Sequence, residues 1–271
     1  MNTRKIRNIC LCILVAVIAL IWCFPIIYMV VSSFKPESQV GVFGFVFQPT
    51  LENYQTVITP AFFDYLKNSL IVTVLTVIFS TLLAVPAGYG LAFATMKKPD
   101  NMYFWFVSTT FLPAIAVITP VYLIFNALHL VDSIWALVIL YTGAGVPMMV
   151  WLVTNYFREI PKELVEAATV DGANKIQTFF KIMIPLIKNG VVSSALLVFI
   201  LTWNEFFFAI TITYSESATL PVYMSKWMTQ QGYFWGKMCA SGTLIVLIPI
   251  ILGFFAQKSL VKGLTSGSVK G

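Results

Sequence analysis

Residues 68–96 read NSLIVTVLTVIFSTLLAVPAGYGLAFATM, a run without one charged side chain. As a helix it would rise ~43 Å, more than the ~30 Å of hydrocarbon in a bilayer. Only a membrane helix or a deeply buried one can tolerate such a segment, because it offers no polar face to water. Ser80, Ala84, Gly88 and Ala92 recur every four residues within it. They would line one face and let a neighbouring helix approach closely.

Working outward from this run, five more apolar stretches appear, near residues 9–31, 102–128, 133–156, 190–213 and 239–260. The composition agrees. Of 271 residues, 59% are hydrophobic and only 10% are charged, and the mean hydropathy is +0.86. A soluble enzyme would lack the charge to cover its surface. Disorder, collagen-like repeats and a small disulfide scaffold are excluded as well. The expected fold is all-α, a polytopic membrane protein with six transmembrane helices. Pro86, Pro113, Pro120, Pro147 and Pro249 fall inside the expected spans. Each frees a backbone carbonyl that neighbours or water must satisfy, as in bent helices around a pathway or in ordinary kinks of a packed bundle.

The first run follows Arg4, Lys5 and Arg7, as a signal peptide would. Its apolar length exceeds a signal-peptide core, and Ser32-Ser33-Phe34 is a poor cleavage site, so it reads as a retained span. With the N-terminus inside, only Lys35, Lys67, Lys226 and Lys237 fall outside; the other 13 of 17 basic residues fall inside. This asymmetry places both termini in the cytoplasm. The net charge of +6 is thus a topology signal. No basic patch with interleaved aromatics suggests nucleic acid. Cys10, Cys12, Cys23 and Cys239 lie in or beside apolar runs and read as packing residues, and with His129 the single histidine no metal site is expected.

The segment between the fourth and fifth spans is different in kind. Residues 158–185 read REIPKELVEAATVDGANKIQTFFKIMIP and hold Glu159, Glu163, Glu166 and Asp171, four of the chain's eleven acids. Such charge belongs at an aqueous interface. Pro161 suits a first helical position. Leu164, Ala167 and Ala168 would then share a face, and Gly172 would reverse the chain just past the helix end. A second helix is expected from about Asn174, with Ile176, Phe179, Phe180 and Met183 on one stripe and Pro185 disturbing it before the next span. The small Ala167 and Ala168 would allow another surface to approach. A solvated helical hairpin and a docking surface both fit this pattern.

The spacing Glu166-Ala167-Ala168, three residues, Gly172, nine residues, Ile182, one residue, Ile184-Pro185 resembles the EAA loop of ABC-importer permeases. Isoleucine stands where that pattern has leucine. Asp171-Gly172-Ala173 and Phe179 match the form typical of the carbohydrate-uptake subfamily related to the maltose importer. Thr202-Trp203-Asn204-Glu205-Phe206 resembles that subfamily's fifth-span motif, and the tail 257–271, QKSLVKGLTSGSVKG, resembles its C-terminus. The resemblance runs from the first span to the last residue. It implies the six-span permease subunit of a type I ABC importer in a bacterial or archaeal cytoplasmic membrane. Residues 1–33 would form the N-terminus and first span, 34–67 an external loop, and 68–271 the permease core with its coupling loop at 157–189. The partners implied are a second homologous permease, an ATP-binding cassette ATPase dimer, an extracytoplasmic sugar-binding protein and membrane lipid. Glu166, Ala167, Ala168, Asp171 and Gly172 would couple to the ATPase, which would bind ATP and Mg; no cofactor is expected in this chain itself. Mono-, di- and oligosaccharides and related polyols all match what the resemblance implies.

No phosphate loop of the form G-x-x-x-x-G-K-[ST] occurs, and no Ser/His/Asp or Cys/His set suggests an enzyme. Glu205 is the one acid placed within a span. An acid at membrane depth serves an ion relay, a pathway contact with Trp203 and Asn204, or a structural bond to another helix or subunit. The rival function, an ion-coupled secondary transporter, would depend on Glu205. Outside, Thr219, Leu220 and Pro221 are candidates for binding-protein contact, and Trp227, Tyr233, Phe234 and Trp235 suit the headgroup level. Tyr122 and Tyr141 read better as packing than as pathway residues.

Overall fold

The computed structural model describes residues 3–93 and 98–266. Residues 94–96 at the end of the expected second span, Lys97, and 267–271 of the tail lie outside the described residues. Helix dominates the described residues. In order it forms α1 (Thr3–Ser32), α2 (Glu37–Val40), α3 (Glu52–Val57), α4 (Pro60–Phe93), α5 (Pro99–Thr109), α6 (Ala114–Ala127) and α7 (Ile134–Arg158). There follow α8 (Glu163–Val170), α9 (Lys175–Gln177), a π-helical segment (Thr178–Met183), α10 (Ile184–Trp203), α11 (Phe207–Ile212), α12 (Leu220–Ser225) and α13 (Trp235–Ser266). Between α12 and α13, the two-residue strands Met228–Thr229 and Gly232–Tyr233 pair antiparallel, Met228 opposite Tyr233.

Among the described residues, five stretches are long and apolar enough to cross a membrane: Arg7–Ser32, Pro60–Phe93, Ile134–Arg158, Lys175–Trp203 and Trp235–Gln257. A sixth arises if α5 and α6 count as one span, but they meet at 88°. The third span, expected over residues 102–128 with Pro113 and Pro120 inside it, is thus an elbow where the two helices count as one span. Turn bonds close α5, with the Thr110 N–H donating to the Val107 carbonyl at 3.2 Å. Pro113 then takes an extended ψ of 128° as the cap of α6 and brings no N–H to continue the ladder. The other prolines placed in spans, Pro86, Pro120, Pro147 and Pro249, lie inside continuous helices.

Two compact units are formed, one from Met1–Phe63 with Met224–Ile248, the other from Asp64–Tyr223 with Pro249–Gly271. Within the first, Asn53 is buried and donates to the carbonyls of Ser33 (2.9 Å) and Lys35 (2.8 Å). The same side chain closes on Gly236, where an added Cβ would lie 2.6 Å from Asn53 Nδ2.

The second unit is built on the α4, α7 and α10 contact. Ser80, Ala84 and Gly88 are all buried, as their four-residue spacing predicts. A Cβ on Gly88 would meet Val153 Cγ2 at 2.7 Å and the Thr154 backbone nitrogen at 3.2 Å. One on Gly190 would strike the Tyr156 ring at 2.5 Å. Around these contacts Val85, Met149, Val150, Phe157, Met183 and Ile187 form the core. A smaller cluster joins Ile118 and Phe125 of α6 to Ala136 and Ile212.

Candidate functional site

The cytoplasmic-type loop expected at 158–185 folds as a helix, a turn and a second helix. Pro161 lies just before α8, not within its first turn: its carbonyl accepts from Leu164 N, and the Lys162 carbonyl accepts from Val165 and Glu166. Glu163 and Glu166 fall in the first turn, where a carboxylate opposes the positive end of the helix. The exit is a left-handed turn. Gly172 has φ +83°, the Ala173 N–H reaches the Ala168 carbonyl at 2.9 Å, and the Gly172 N–H reaches that of Thr169 at 3.1 Å. This bond pair satisfies orphan carbonyls at the helix end. Asn174 opens the next helix with a reciprocal cap: its Oδ1 accepts from Gln177 N at 2.8 Å, and Gln177 Oε1 accepts from Asn174 N at 3.0 Å.

The faces differ in part from the sequence pattern. Ala168 is buried and Val165 packs on the core, whereas Leu164 is 43% exposed and Ala167 is also exposed. Ala168 therefore turns inward with Val165 and away from Ala167 and Leu164. The expected stripe beyond Asn174 is likewise split: Met183 is fully buried and Phe179 half-buried, while Ile176 and Phe180 are exposed. The π turn explains this, because its i→i+5 bonds displace the register by about one residue. It also explains why Pro185 does not interrupt the chain. Proline sits in the first turn of α10, directly after the widened turn, where its missing N–H costs little. The loop thus presents Glu163, Leu164, Glu166, Ala167, Val170, Asp171 and Ile176 outward on a capped helix–turn–helix frame.

That frame is braced at its foot. Arg158 Nη2 lies 2.8 Å from Asp100 Oδ1, and its guanidinium stands 4.5 Å over the Tyr103 ring. The Tyr103 hydroxyl donates to Asn155 Oδ1 at 3.0 Å.

Trp203, Asn204 and Glu205 lie at a second correction. The expected continuous fifth span breaks after Trp203 and resumes as α11 at Phe207. Glu205 makes the break possible. Its Oε1 accepts from Phe208 N at 3.0 Å, and its Oε2 accepts from Ala209 N at 3.2 Å and from the Tyr141 hydroxyl at 2.5 Å. The carboxylate therefore satisfies the first amides of α11 and ties them to α7. This favours the structural reading of Glu205 and agrees with Tyr141 as a buried packing residue. Trp203 is 1% exposed and stacks on Phe199, with ring centres 5.7 Å apart. Asn204 is exposed and bonds back to the Ile200 carbonyl. Tyr122 pairs with the Tyr214 hydroxyl at 2.9 Å.

Thr219 and Leu220 are buried, and Pro221 is half-buried. The Leu220 N–H donates to Ser69 Oγ at 2.7 Å, so this segment faces α4 before it faces anything outside.

Sequence reasoning missed Asp132. It lies between α6 and α7 with φ +57°. Its carboxylate accepts from the N–H groups of Tyr214, Ser215, Glu216 and Ser217 and from the Ser217 hydroxyl. Burial pushes this acid up, but the four backbone donors prevail and hold it at about 2. The available signal was weak: one acid beside a serine in a short turn between two apolar runs. Asn68 secures the same segment by donating to the Glu216 and Ala218 carbonyls.

The family model described as "Binding-protein-dependent transport system inner membrane component" matches residues 84–266. A probable ABC transporter permease protein of Sinorhizobium fredii is 35% identical over 99% of this chain and 98% of its own length. The trehalose/maltose transport system permease protein MalG of Thermococcus litoralis is 32% identical over the whole of both chains. Among solved structures, a chain of a bacterial ABC transporter involved in the import of the acidic polysaccharide alginate superposes with a TM-score of 0.76. That match covers 95% of this chain and 98% of the other at 24% identity, and it bears on the fold.

Proposed function

The chain belongs to the family of binding-protein-dependent transport system inner membrane components, and from that premise we propose that it is the permease subunit of an importer for a sugar. It is a multi-pass membrane protein, and its relatives are permease subunits without an ATPase site of their own. The sugar reading rests on the trehalose/maltose permease, which aligns end to end with this chain. A small oligosaccharide is the substrate class in best agreement with it.

The observation that carries the mechanism is the two-sided loop. Val165 packs α8 against the transmembrane core and Ala168, three residues on, is buried on the inner side, while Glu166, Ala167 and Asp171 face out. A movement imposed on the outer face is passed to α7 and α10 through packed side chains. A separate ATPase, itself holding ATP and Mg, docks on this face. Its closure drives the permease between inward-open and outward-open states. Gly172 shapes the contact through its left-handed turn, and Glu166 supplies a charge for the partner's cleft. In this reading both termini lie in the cytoplasm, which the uneven distribution of Lys and Arg supports. A second homologous permease completes the pathway and an extracytoplasmic binding protein delivers the sugar. Trp203, Asn204 and Glu205, at the broken fifth span, are the candidates for contact with that pathway or with the second permease. In this reading residues 34–67 are the external segment, its last eight already within α4, and 157–189 the coupling loop, its ends within α7 and α10.

The test is purification of the tagged chain from its native membrane in mild detergent. A second permease and an ATPase are expected to accompany it, with sugar-dependent ATP hydrolysis in the reconstituted complex. A homo-oligomer that transports without an ATPase would overturn the reading.

A further inference from the structure

Helix α7 takes part in two packed clusters. Near its start, Ala136 and Leu140 pack with Ile118, Phe125 and Ile212 in the smaller cluster. Near its end, Met149, Val150, Val153 and Phe157 lie in the larger core, on which Val165 of the loop also packs. Between these parts the sequence reads Thr142-Gly143-Ala144-Gly145-Val146-Pro147. Two glycines and a proline within six residues make a weak stretch of helix. Pro147 lies inside α7 and has no N–H to donate to the Gly143 carbonyl, so that carbonyl has no helical bond to lose.

The surrounding side chains do not lock this stretch. Among the described residues, the buried hydroxyls of Thr142 on α7 and of Thr76 and Ser80 on α4 have no hydrogen-bond partner. Ser80 points at the second glycine: its Oγ lies 3.0 Å from where a Cβ on Gly145 would stand, and Val198 Cγ1 of α10 lies 3.2 Å from the same point. At Gly145, α7 therefore meets α4 and α10 through bare backbone. A Cβ on Gly143 would meet nothing within 4 Å, so the helix has room on that side.

The part of the chain before this stretch is bound into one piece. The Tyr141 hydroxyl donates to Glu205, whose carboxylate also holds the first amides of α11. Asp132, just before α7, accepts from the amides of residues 214–217 just after α11, and its own N–H donates to the Ile212 carbonyl at 3.0 Å. Residues 132–141 and α11 are thus tied at both ends, and α6 packs on them. The other continuation from this piece to the larger core, from α11 back into α10, is already broken at residues 204–206. Helix α4 runs past both parts unbroken and holds residues 216–220 only through the side chains of Asn68 and Ser69.

We propose that residues 142–147 are a hinge in α7, on which the piece formed by α6, residues 132–141 and α11 turns against the larger core, with α4 as its post. A few residues inside or at the end of an element suffice to absorb such a turn. Bending here costs little, because the Gly143 carbonyl and the three hydroxyls have no bonds to break. The break at residues 204–206 lets the neighbouring chain follow. The inference concerns the bending of this chain and does not rest on the sugar reading.

The test is hydrogen–deuterium exchange on the protein purified from its native membrane with its partners retained, in lipid nanodiscs and without nucleotide. Protection of the amides in residues 143–149 should be about tenfold lower than in 135–141 and 150–157, since a hinge opens locally. Gly143→Ala fits the open side of the helix and should raise protection there about fivefold, as alanine favours helix over glycine, with the flanks unchanged. Equal protection along α7, or no change in the variant, overturns the hinge. A second measurement reads the turning itself. Spin-labelled amino acids are placed at Leu123 on α6 and Leu82 on α4, and, within one piece, at Leu123 and Ile210; all three positions are exposed. The first pair should give the broader distance distribution, and Gly143→Ala should narrow it and leave the second unchanged. Two equally narrow distributions overturn the proposal. The proteins that accompany the chain test the importer reading separately, so the two can fail independently.

Discussion

At the scale of the residue, two positions carry more than their size suggests. Gly172 has φ +83°, and a Cβ added there would meet nothing within 4 Å, so its constraint is the backbone angle and not space. Gly172→Ala should therefore cost ~1 kcal/mol, the ordinary penalty of a left-handed residue with a side chain. Thermal denaturation in detergent checks it: a shift of only a few degrees is expected, and an unchanged midpoint would dismiss the strain argument. Asp132 makes a different claim. Its value is 3.8 ordinarily and about 2 in the fold, so its stabilisation is complete above the unfolded value and disappears as pH falls through the folded one. Asp132→Asn should lower the thermal midpoint by an amount constant above about pH 5 and shrinking toward pH 2. A gap independent of pH down to 2 would show that the charge contributes nothing.

At the scale of the element, close packing and helix continuity decide what the chain tolerates. Gly88→Leu would drive a side chain into Val153 and the Thr154 backbone, against a helix that has no flexible end to yield there. A loss of about 1–3 kcal/mol is expected for this overpacking. It should appear as a lower midpoint for the whole second unit, whereas Gly90→Leu, where a Cβ meets nothing within 4 Å, should be nearly silent. Equal effects at the two positions would refute the α4–α7 contact. The small-residue stripe was legible because its four-residue period is a property of one helix. The π turn was not. Its presence relieves Pro185 and turns Ile176 and Phe180 away from Met183, and no local pattern in that segment announces an i→i+5 bond.

At the scale of the whole molecule, the spans were legible and their breaks were not. Length and apolarity alone mark a segment as membranous, so residues 68–96 and their counterparts could be read directly. The break after Trp203 depends on Glu205 meeting Tyr141, a partner 64 residues away. The elbow depends on Pro113, which the sequence does not distinguish from Pro147, a proline that leaves its helix continuous. In the loop, the turn at Gly172 and the helix from Asn174 were readable because caps are local, while the inward turn of Ala168 required the core to be seen. The outward charge makes a prediction for the assembly. Glu166→Lys should leave the chain inserted and folded, with an unchanged midpoint, yet lower sugar-coupled ATP hydrolysis about tenfold or more, as reversing a docked charge does. Normal transport by this variant would remove Glu166 from the coupling role.

The elbow between α5 and α6 also bears on biogenesis. The two halves rise about 16 Å and 21 Å, and neither alone spans the ~30 Å of hydrocarbon. Pro113 breaks the ladder between them locally, so the pair is hinged from the moment it is made. The hinge can be seated only after its later neighbours arrive, because Ile118 and Phe125 rest on Ala136 and Ile212. A ribosome stalled before Ile212 should thus hold a chain whose elbow still swings, and the locked right angle becomes a timestamp of translation past that residue.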